Sequence, residues 1–376
     1  MDQENGIKRG GAVPESGAPM PAAGGENKAA EAVPHKRRVR YKGTHPKAYS
    51  EKYKELQPEK YADTVARVIE KGGTPAGMHI SIMVKEILDF LQIQPGQSGL
   101  DATLGYGGHT RAMLNCLKGE GHICALDVDP IESEKTRQRL EKLGFGPDIL
   151  TVKLMNFAEL SRAAEEFGPF DFIMADLGVS SMQIDNPERG FSYKLDGPLD
   201  LRLNPQAGIT AAQRIMEADQ EEFCGMLEEN ADEPYAAEIA RAVAAAKKRG
   251  MDIDTTAKLR GLVETALGFL PEKERREAVK KSCARTFQAL RIDVNGEYEA
   301  LYRFLESLPG ALKSGGRAAI LTFHSGEDRL VKKSFKEFKN AGVYSGIADN
   351  VIRPTAEECA KNSRARSTKM RWAVKA

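Results

Sequence analysis

The sequence predicts an α/β fold, a parallel sheet interrupted by a block of helices. Three observations carry that expectation. Short apolar runs at 100–104, 122–126, 150–152 and 170–175 alternate with helical patterns, as strands do in a parallel sheet. The first run opens onto Gly105-Tyr106-Gly107-Gly108-His109, and the second ends in Asp127, 22 residues after Gly105. Strand, glycine turn, helix, strand and acid is the order of a nucleotide-cofactor site: glycines let backbone approach the ligand, and the acid accepts from ribose hydroxyls. Finally, residues 181–281 carry helical patterns and no convincing strand, before an apolar run resumes at 318–323.

The elements follow in order. Residues 1–35 are rich in Gly, Ala, Pro and Glu and poor in large apolar side chains, so a disordered tail is expected. Residues 36–77 form a basic, then mixed-charge extension. Ile82, Val84, Ile87, Leu88 and Leu91 share a helix face. A helix is expected near 110–117, another from Pro130 to about Leu143, and a strand ending at Asp176. In the helical block, Ala236, Ile239, Ala240, Val243 and Ala244 make one face, and Leu259, Leu262, Val263 and Leu267 another. After Gly315-Gly316 come a strand at 318–323, a helix at 330–338 and a closing strand at 370–374. The division is therefore 78–182 and 283–376 for the sheet domain, and 183–282 for a helical insertion beside the carboxyl ends of the strands.

Composition narrows the class. A net charge of +1 and 41% apolar residues describe a globular chain. The five cysteines are scattered with no Cys-x-x-Cys, which argues against a disulfide framework or a zinc site. The N-terminus has no apolar core and no run approaches membrane length, so the chain reads as cytoplasmic, without a membrane partner. Basic clusters at 35–42 and 353–371 suit phosphates or a solvated linker equally.

The glycine turn favours one cofactor. A dinucleotide site has a third glycine where this chain has Thr110. S-adenosylmethionine has no phosphate and tolerates the shorter turn. Asp101 would face its cationic methionine end and Asp127 its ribose, which makes a methyltransferase the favoured reading over an NAD(P) enzyme.

Beyond the fourth strand the chain reads DLGVSSMQIDNPERGFSYKLDGPLDLRL (176–203), then RTFQALRIDVNGE (285–297), FHSGEDRLVK (323–332) and NSRARS (362–367). With LDATLGYGGHT (100–110) these closely resemble the bacterial 16S ribosomal RNA cytosine-N4 methyltransferase family, also called ribosomal RNA small subunit methyltransferase H. The resemblance runs from about His79 to the C-terminus. It implies a Rossmann-like S-adenosylmethionine-dependent methyltransferase sheet with an inserted all-helical, substrate-recognising domain. The implied reaction is methylation of N4 of cytosine 1402 in 16S rRNA of the small ribosomal subunit. By motif, Gly107, Gly108, His109, Asp127, Phe157, Asp176 and Gln183 would bind the cofactor. Gly326, Ser282-Cys283 and Ala231-Asp232-Glu233 stand where the family has Leu, His-Pro and Gly-Glu-Glu, as in a divergent second copy with an N-terminal extension.

For the reaction, a group that hydrogen-bonds the cytosine amine would localise its lone pair. Asp176 is the candidate, as a catalytic or a purely cofactor-binding acid. His324 is a candidate proton acceptor or a structural histidine. Phe191, Tyr193 and Phe323 would hold the flipped base or pack in the core. Arg189, Arg202, Arg291 and Arg329 would grip phosphates or pair with nearby acids. No cysteine lies in the Pro-Cys or Thr-Cys context of ring-carbon methylation, and displacement at a sulfonium requires no metal. A homodimer is left open. So is a paralogue that binds the subunit without methylating, or acts on another substrate.

Overall fold

The computed structural model describes residues 81–376. The tail at 1–35, the basic extension at 36–77 and the cluster at 35–42 lie outside the described residues.

A seven-stranded sheet forms the body, in the order β3-β2-β1-β4-β5-β7-β6. Its strands are β1 (Ser98–Asp101), β2 (His122–Asp127), β3 (Leu150–Leu154), β4 (Phe170–Asp176), β5 (Leu312–Thr322), β6 (Tyr344–Ile347) and β7 (Lys369–Lys375). The first five pair in parallel, while β7 runs antiparallel to both β5 and β6. The expectation of a purely parallel sheet is thus corrected at this edge. The chain turns back through β6 and a loop, rather than a crossover helix, before reaching its last strand. β5 also begins earlier than 318. Gly315 (φ +75°) and Gly316 lie inside it, where the register with β4 shifts between Phe170 and Phe172, and a Cβ on Gly316 would sit 2.8 Å from the Lys313 carbonyl. That is a bulge, for which glycine has the needed backbone freedom.

Both faces of the sheet are covered. Along β4, Phe172 and Met174 point to one face, Ile173 and Ala175 to the other. On the first face pack α1 (Val84–Leu91), α2 (Gly108–Leu117) and α3 (Pro130–Lys142), through Ile87, Leu91, Met113, Leu114, Leu117 and Leu140. The second face takes α4 (Leu160–Phe167), α11 (Glu297–Ala311) and α12 (Ser325–Asn340), through Leu160, Leu301, Phe304, Leu308, Val331 and Phe335.

The helical block comprises α5 (Ser181–Asp185), α6 (Ala211–Glu217), α7 (Gln220–Ala231), α8 (Ala236–Lys248), α9 (Thr256–Ala266) and α10 (Glu272–Asn295). It has a core of its own, including Ile215, Phe223, Leu227, Ile239, Val243, Leu259, Val263 and Phe287. The 24-residue α10 runs through position 282/283 without a break. Its buried side chains continue to Leu290 in that core and to Ile292 beyond it. α13 (Ala356–Lys361) precedes β7. No described helix is long and apolar enough to cross a membrane.

Candidate functional site

The carboxyl ends of β1, β2 and β4 converge on a cavity of about 350 Å³. Each end delivers its group for a local reason. Beyond β1, Gly105 and Gly107 take φ of +48° and +76°, and Gly107 caps α2. A Cβ on Gly107 would lie 2.7 Å from Thr136 Cγ2, and one on Gly108 would lie 1.9 Å from Ser81 Oγ, so the turn is held between α3 and the segment before α1. At the end of β2, Asp127 accepts from the Gly105 N–H (2.8 Å) and the Asp129 N–H (2.9 Å), tying two strand ends together. Burial pushes its carboxyl up to about 6, against the pull of those two bonds.

Asp101 stays out of the cavity. It is fully buried, and its carboxylate accepts from the Thr103 N–H (3.1 Å) and the Thr110 hydroxyl (2.6 Å). The expectation that it faces the cofactor is corrected. Burial raises its pKa, partly opposed by the Thr110 bond, and its work is to fix the turn. The same bond explains Thr110: the residue standing in the third-glycine position supplies the hydroxyl that Asp101 needs.

Asp176 and His109 meet at the cavity wall, with Asp176 Oδ2 3.5 Å from His109 Nε2. Asp176 Oδ1 and His109 Nε2 are buried and have no hydrogen-bond partner. Phe157 lines the cavity beyond β3, set edge-on to Phe304 with ring centroids 5.4 Å apart. Gln183 lines it too, although its amide is engaged. It closes a capping box with Ser180, and its Nε2 donates to Asp129 Oδ2 (3.0 Å).

Asp129 is the hub that the sequence did not reveal. It is fully buried, caps α3 through the Ile131 and Glu132 N–H groups, and receives Arg189 Nη1 at 2.8 Å. Arg189 also donates to the carbonyls of Arg202 and Leu203, so it pins the loop after β4 to the cofactor turn. Within that loop Leu201 holds φ +63°, a conformation bulky side chains rarely adopt, secured by a bond from its N–H to the Arg189 carbonyl.

The far wall is formed by Arg291, Glu297, Tyr298, Phe323 and Glu327. Arg291 binds both oxygens of Glu297, at 2.7 and 2.8 Å. Glu327 accepts from the Phe323 N–H (2.8 Å). Burial opposes its ionisation, but His324 and Arg291 outweigh that and hold its carboxyl below the usual range. His324 is not among the residues lining the cavity. It caps α12, and its buried Nε2 lies 3.1 Å from Glu327 Oε1, outside hydrogen-bond geometry. Glu297, His324 and Glu327 bring three metal-capable atoms within 4.8 Å of one another, with Arg291 already occupying Glu297.

Of the other sequence candidates, Phe323 reaches the cavity and Phe191 packs in the helical core. Tyr193 lies in a separate groove. Arg202 pairs with Asp200 and Arg329 with Asp232. Arg364, on the C-terminal loop, lines the cavity and pairs with Asp185 at 2.8 Å. The departures are internally satisfied. Ser282 donates to buried Glu233 (2.7 Å). A Cβ on Gly326 would lie 1.9 Å from the Tyr298 hydroxyl, which donates to the Asn230 carbonyl.

The donor set fits S-adenosylmethionine. Carboxylates of Asp127, Glu132, Asp176, Glu297 and Glu327 line the cavity, while its arginines, Arg291 and Arg364, are already paired with acids. An acid-lined wall suits a cationic cofactor and opposes a pyrophosphate. The sheet order, the glycine turn and the carboxylates at successive strand ends define a Rossmann-like, S-adenosylmethionine-dependent methyltransferase. More particularly, the chain belongs to the MraW methylase family, whose model matches residues 76–376.

Close relatives carry ribosomal names. The chain is 68% identical over 342 residues to ribosomal RNA small subunit methyltransferase H 1 of Lachnoclostridium phytofermentans, covering 91% of this chain and 93% of that protein. It is 67% identical over 342 residues to the H 1 protein of Agathobacter rectalis, covering 91% and 98%. It is 63% identical over 340 residues to the H 2 protein of Alkaliphilus metalliredigens, covering 90% and 97%. Among solved structures, an S-adenosylmethionine-dependent O-methyltransferase from Thermotoga maritima aligns with a TM-score of 0.38 at 10% identity, over 79% of this chain and 67% of that one.

Proposed function

We propose that this chain methylates the N4 amine of cytosine 1402 in 16S rRNA of the small ribosomal subunit. The observation that carries the chemistry is the unpartnered Asp176 Oδ1 at the end of β4, on the cavity wall beside His109. The names of the relatives support the ribosomal substrate.

Gly107, Gly108 and His109 begin α2, whose first N–H groups lack intrahelical partners and would hold the carboxylate end of the cofactor. Asp127 would accept from the ribose, and Phe157 with Met155 would flank the adenine. Gln183 would shape this half of the cavity from its cap. When bound, S-adenosylmethionine supplies an electrophilic methyl on sulfur. Asp176 would accept a hydrogen bond from the cytosine amine, which draws the nitrogen lone pair out of the ring and aims it. Phe323 would face the base. His324 would act on a released proton only through Glu327, the carboxylate that lines the cavity beside it.

Asp176→Asn tests this role. Turnover on small subunits should fall about 100-fold at saturating cofactor, the scale of one lost transition-state contact, with cofactor affinity kept within a few fold. Near-normal turnover would remove Asp176 from the chemistry.

A further inference from the structure

The helical insertion carries a second concavity that the reaction does not use. It is a groove of about 640 Å³ between the start of α10, the C-terminal half of α9 and the loop at 193–194. Lys194, Arg260, Arg275, Arg276 and Lys280 line it, against Glu264 and Glu272. Arg260 is bound by Glu264 at 2.7 Å. Arg275 is fixed by two bonds to the Leu270 carbonyl, neither of which neutralises its charge. Lys194 and Arg276 have no carboxylate partner among the described residues, and Lys280 makes only a 3.6 Å contact to exposed Glu277. The groove therefore keeps a net positive wall inside a chain whose overall charge is only +1.

An aromatic face accompanies the charge. Tyr193 lines the groove, its ring set edge-on against Phe287 at 6.0 Å, which fixes its orientation. Lys194 Nζ lies 6.0 Å from the centre of that ring. Cations that follow a backbone, beside a ring on which a base stacks, are the two components of single-stranded nucleic-acid binding. An acidic peptide would use the charges but not the ring.

The groove is also tied mechanically to the reaction cavity. Cys283 at the groove and Arg291 at the cavity lie on the same helix, α10. Eight residues of helix separate them by about 12 Å along the axis.

We propose that this groove binds the RNA strand beside the target nucleotide, with Arg275, Arg276, Lys194 and Lys280 on phosphates and Tyr193 stacked on a flanking base. The proposal rests on the RNA-methylating function proposed above and adds the place where the insertion grips its substrate. Its consequence is that binding and chemistry separate: groove variants change substrate affinity and leave cofactor affinity alone.

The test uses the full chain with Arg276→Glu and Lys280→Glu together, both exposed positions, and separately Tyr193→Phe and Tyr193→Ala. Binding of a single-stranded decoding-region RNA oligomer is followed by anisotropy across salt, and methyl transfer to small subunits is followed as KM and kcat. The charge variant is expected to weaken RNA binding at least tenfold. Its log–log salt slope should fall by about 2, one unit for each lost phosphate contact. Its KM should rise, with kcat and cofactor Kd within twofold. Tyr193→Phe is expected to bind as wild type, and Tyr193→Ala more weakly. Unchanged binding and salt slope in the charge variant overturn the groove. Wild-type methylation with that unchanged binding refutes the groove alone. Weakened RNA binding in a protein that puts no methyl on cytosine keeps the groove and refutes the proposed reaction.

Discussion

Arg189→Ala isolates the contact that joins the cofactor turn to the loop after β4. Arg189 Nη1 lies 2.8 Å from Asp129 Oδ2, with the arginine side chain 11% exposed and the aspartate 0%. At an effective dielectric near 20, that separation is worth about 6 kcal/mol of attraction, which the desolvation of both ions offsets in large part. Removing one partner of a buried pair typically costs about 3–5 kcal/mol, because the other charge stays buried. Asp129 keeps the Ile131 and Glu132 N–H groups and the Gln183 amide, which places the loss at the lower end, about 3 kcal/mol. The thermal midpoint should fall by roughly 6–12 °C, taking about 2–4 °C per kcal/mol for a domain of this size. Scanning calorimetry measures it, and a double-mutant cycle with Asp129→Asn isolates the pair. A coupling of at least ~1.5 kcal/mol is expected. Cofactor affinity should fall as well, since the Asp129 N–H holds Asp127 Oδ1. A loss under about 1 kcal/mol, or additive single variants, would refute the reasoning.

Two further predictions concern the carboxylates around the turn. Asp127 has a folded pKa near 6, above the 3.8 of an ordinary aspartate, so the folded chain binds the extra proton between about pH 4 and 6. Its contribution to stability is therefore present at low pH and lost as pH rises through that window, whereas its ribose-accepting form is lost as pH falls. Cofactor Kd should rise below pH 6, with a limiting slope of tenfold per unit, and calorimetry should show this dependence flattened in Asp127→Asn. Thr110→Val removes the 2.6 Å hydroxyl from buried Asp101 and should cost about 1–3 kcal/mol in a thermal melt, a loss that Asp101→Asn should partly relieve.

Much of this arrangement was legible in the residues. Strands β1 to β4 end where their apolar runs end, at Asp127 and Asp176 in two cases, because strands covered on both faces are continuously apolar. Asp129 before Pro130 marked the start of α3 through ordinary capping chemistry. The four-residue β6 (Tyr-Ser-Gly-Ile) was not legible, since an edge strand that short has no periodicity to detect. The course of α10 was not legible either. Half its turns are charged, and its continuity across residues 282 and 283 comes from packing on two different cores. At the site, motifs located Gly107, Gly108, His109, Phe157, Asp176 and Gln183 around one cavity. They did not reveal the pairing of Asp129 with Arg189, 60 residues apart, or that Asp101 serves Thr110. Both depend on how loops meet in space, and spacing along the chain carries no signal for that.

The central claim is most directly tested by radiolabelled methyl transfer from S-adenosylmethionine to small subunits that lack the modification, followed by nucleoside mass spectrometry. The account predicts N4-methylcytidine at position 1402 of 16S rRNA. Label on any other nucleotide, or none from a protein that binds the cofactor, would contradict it.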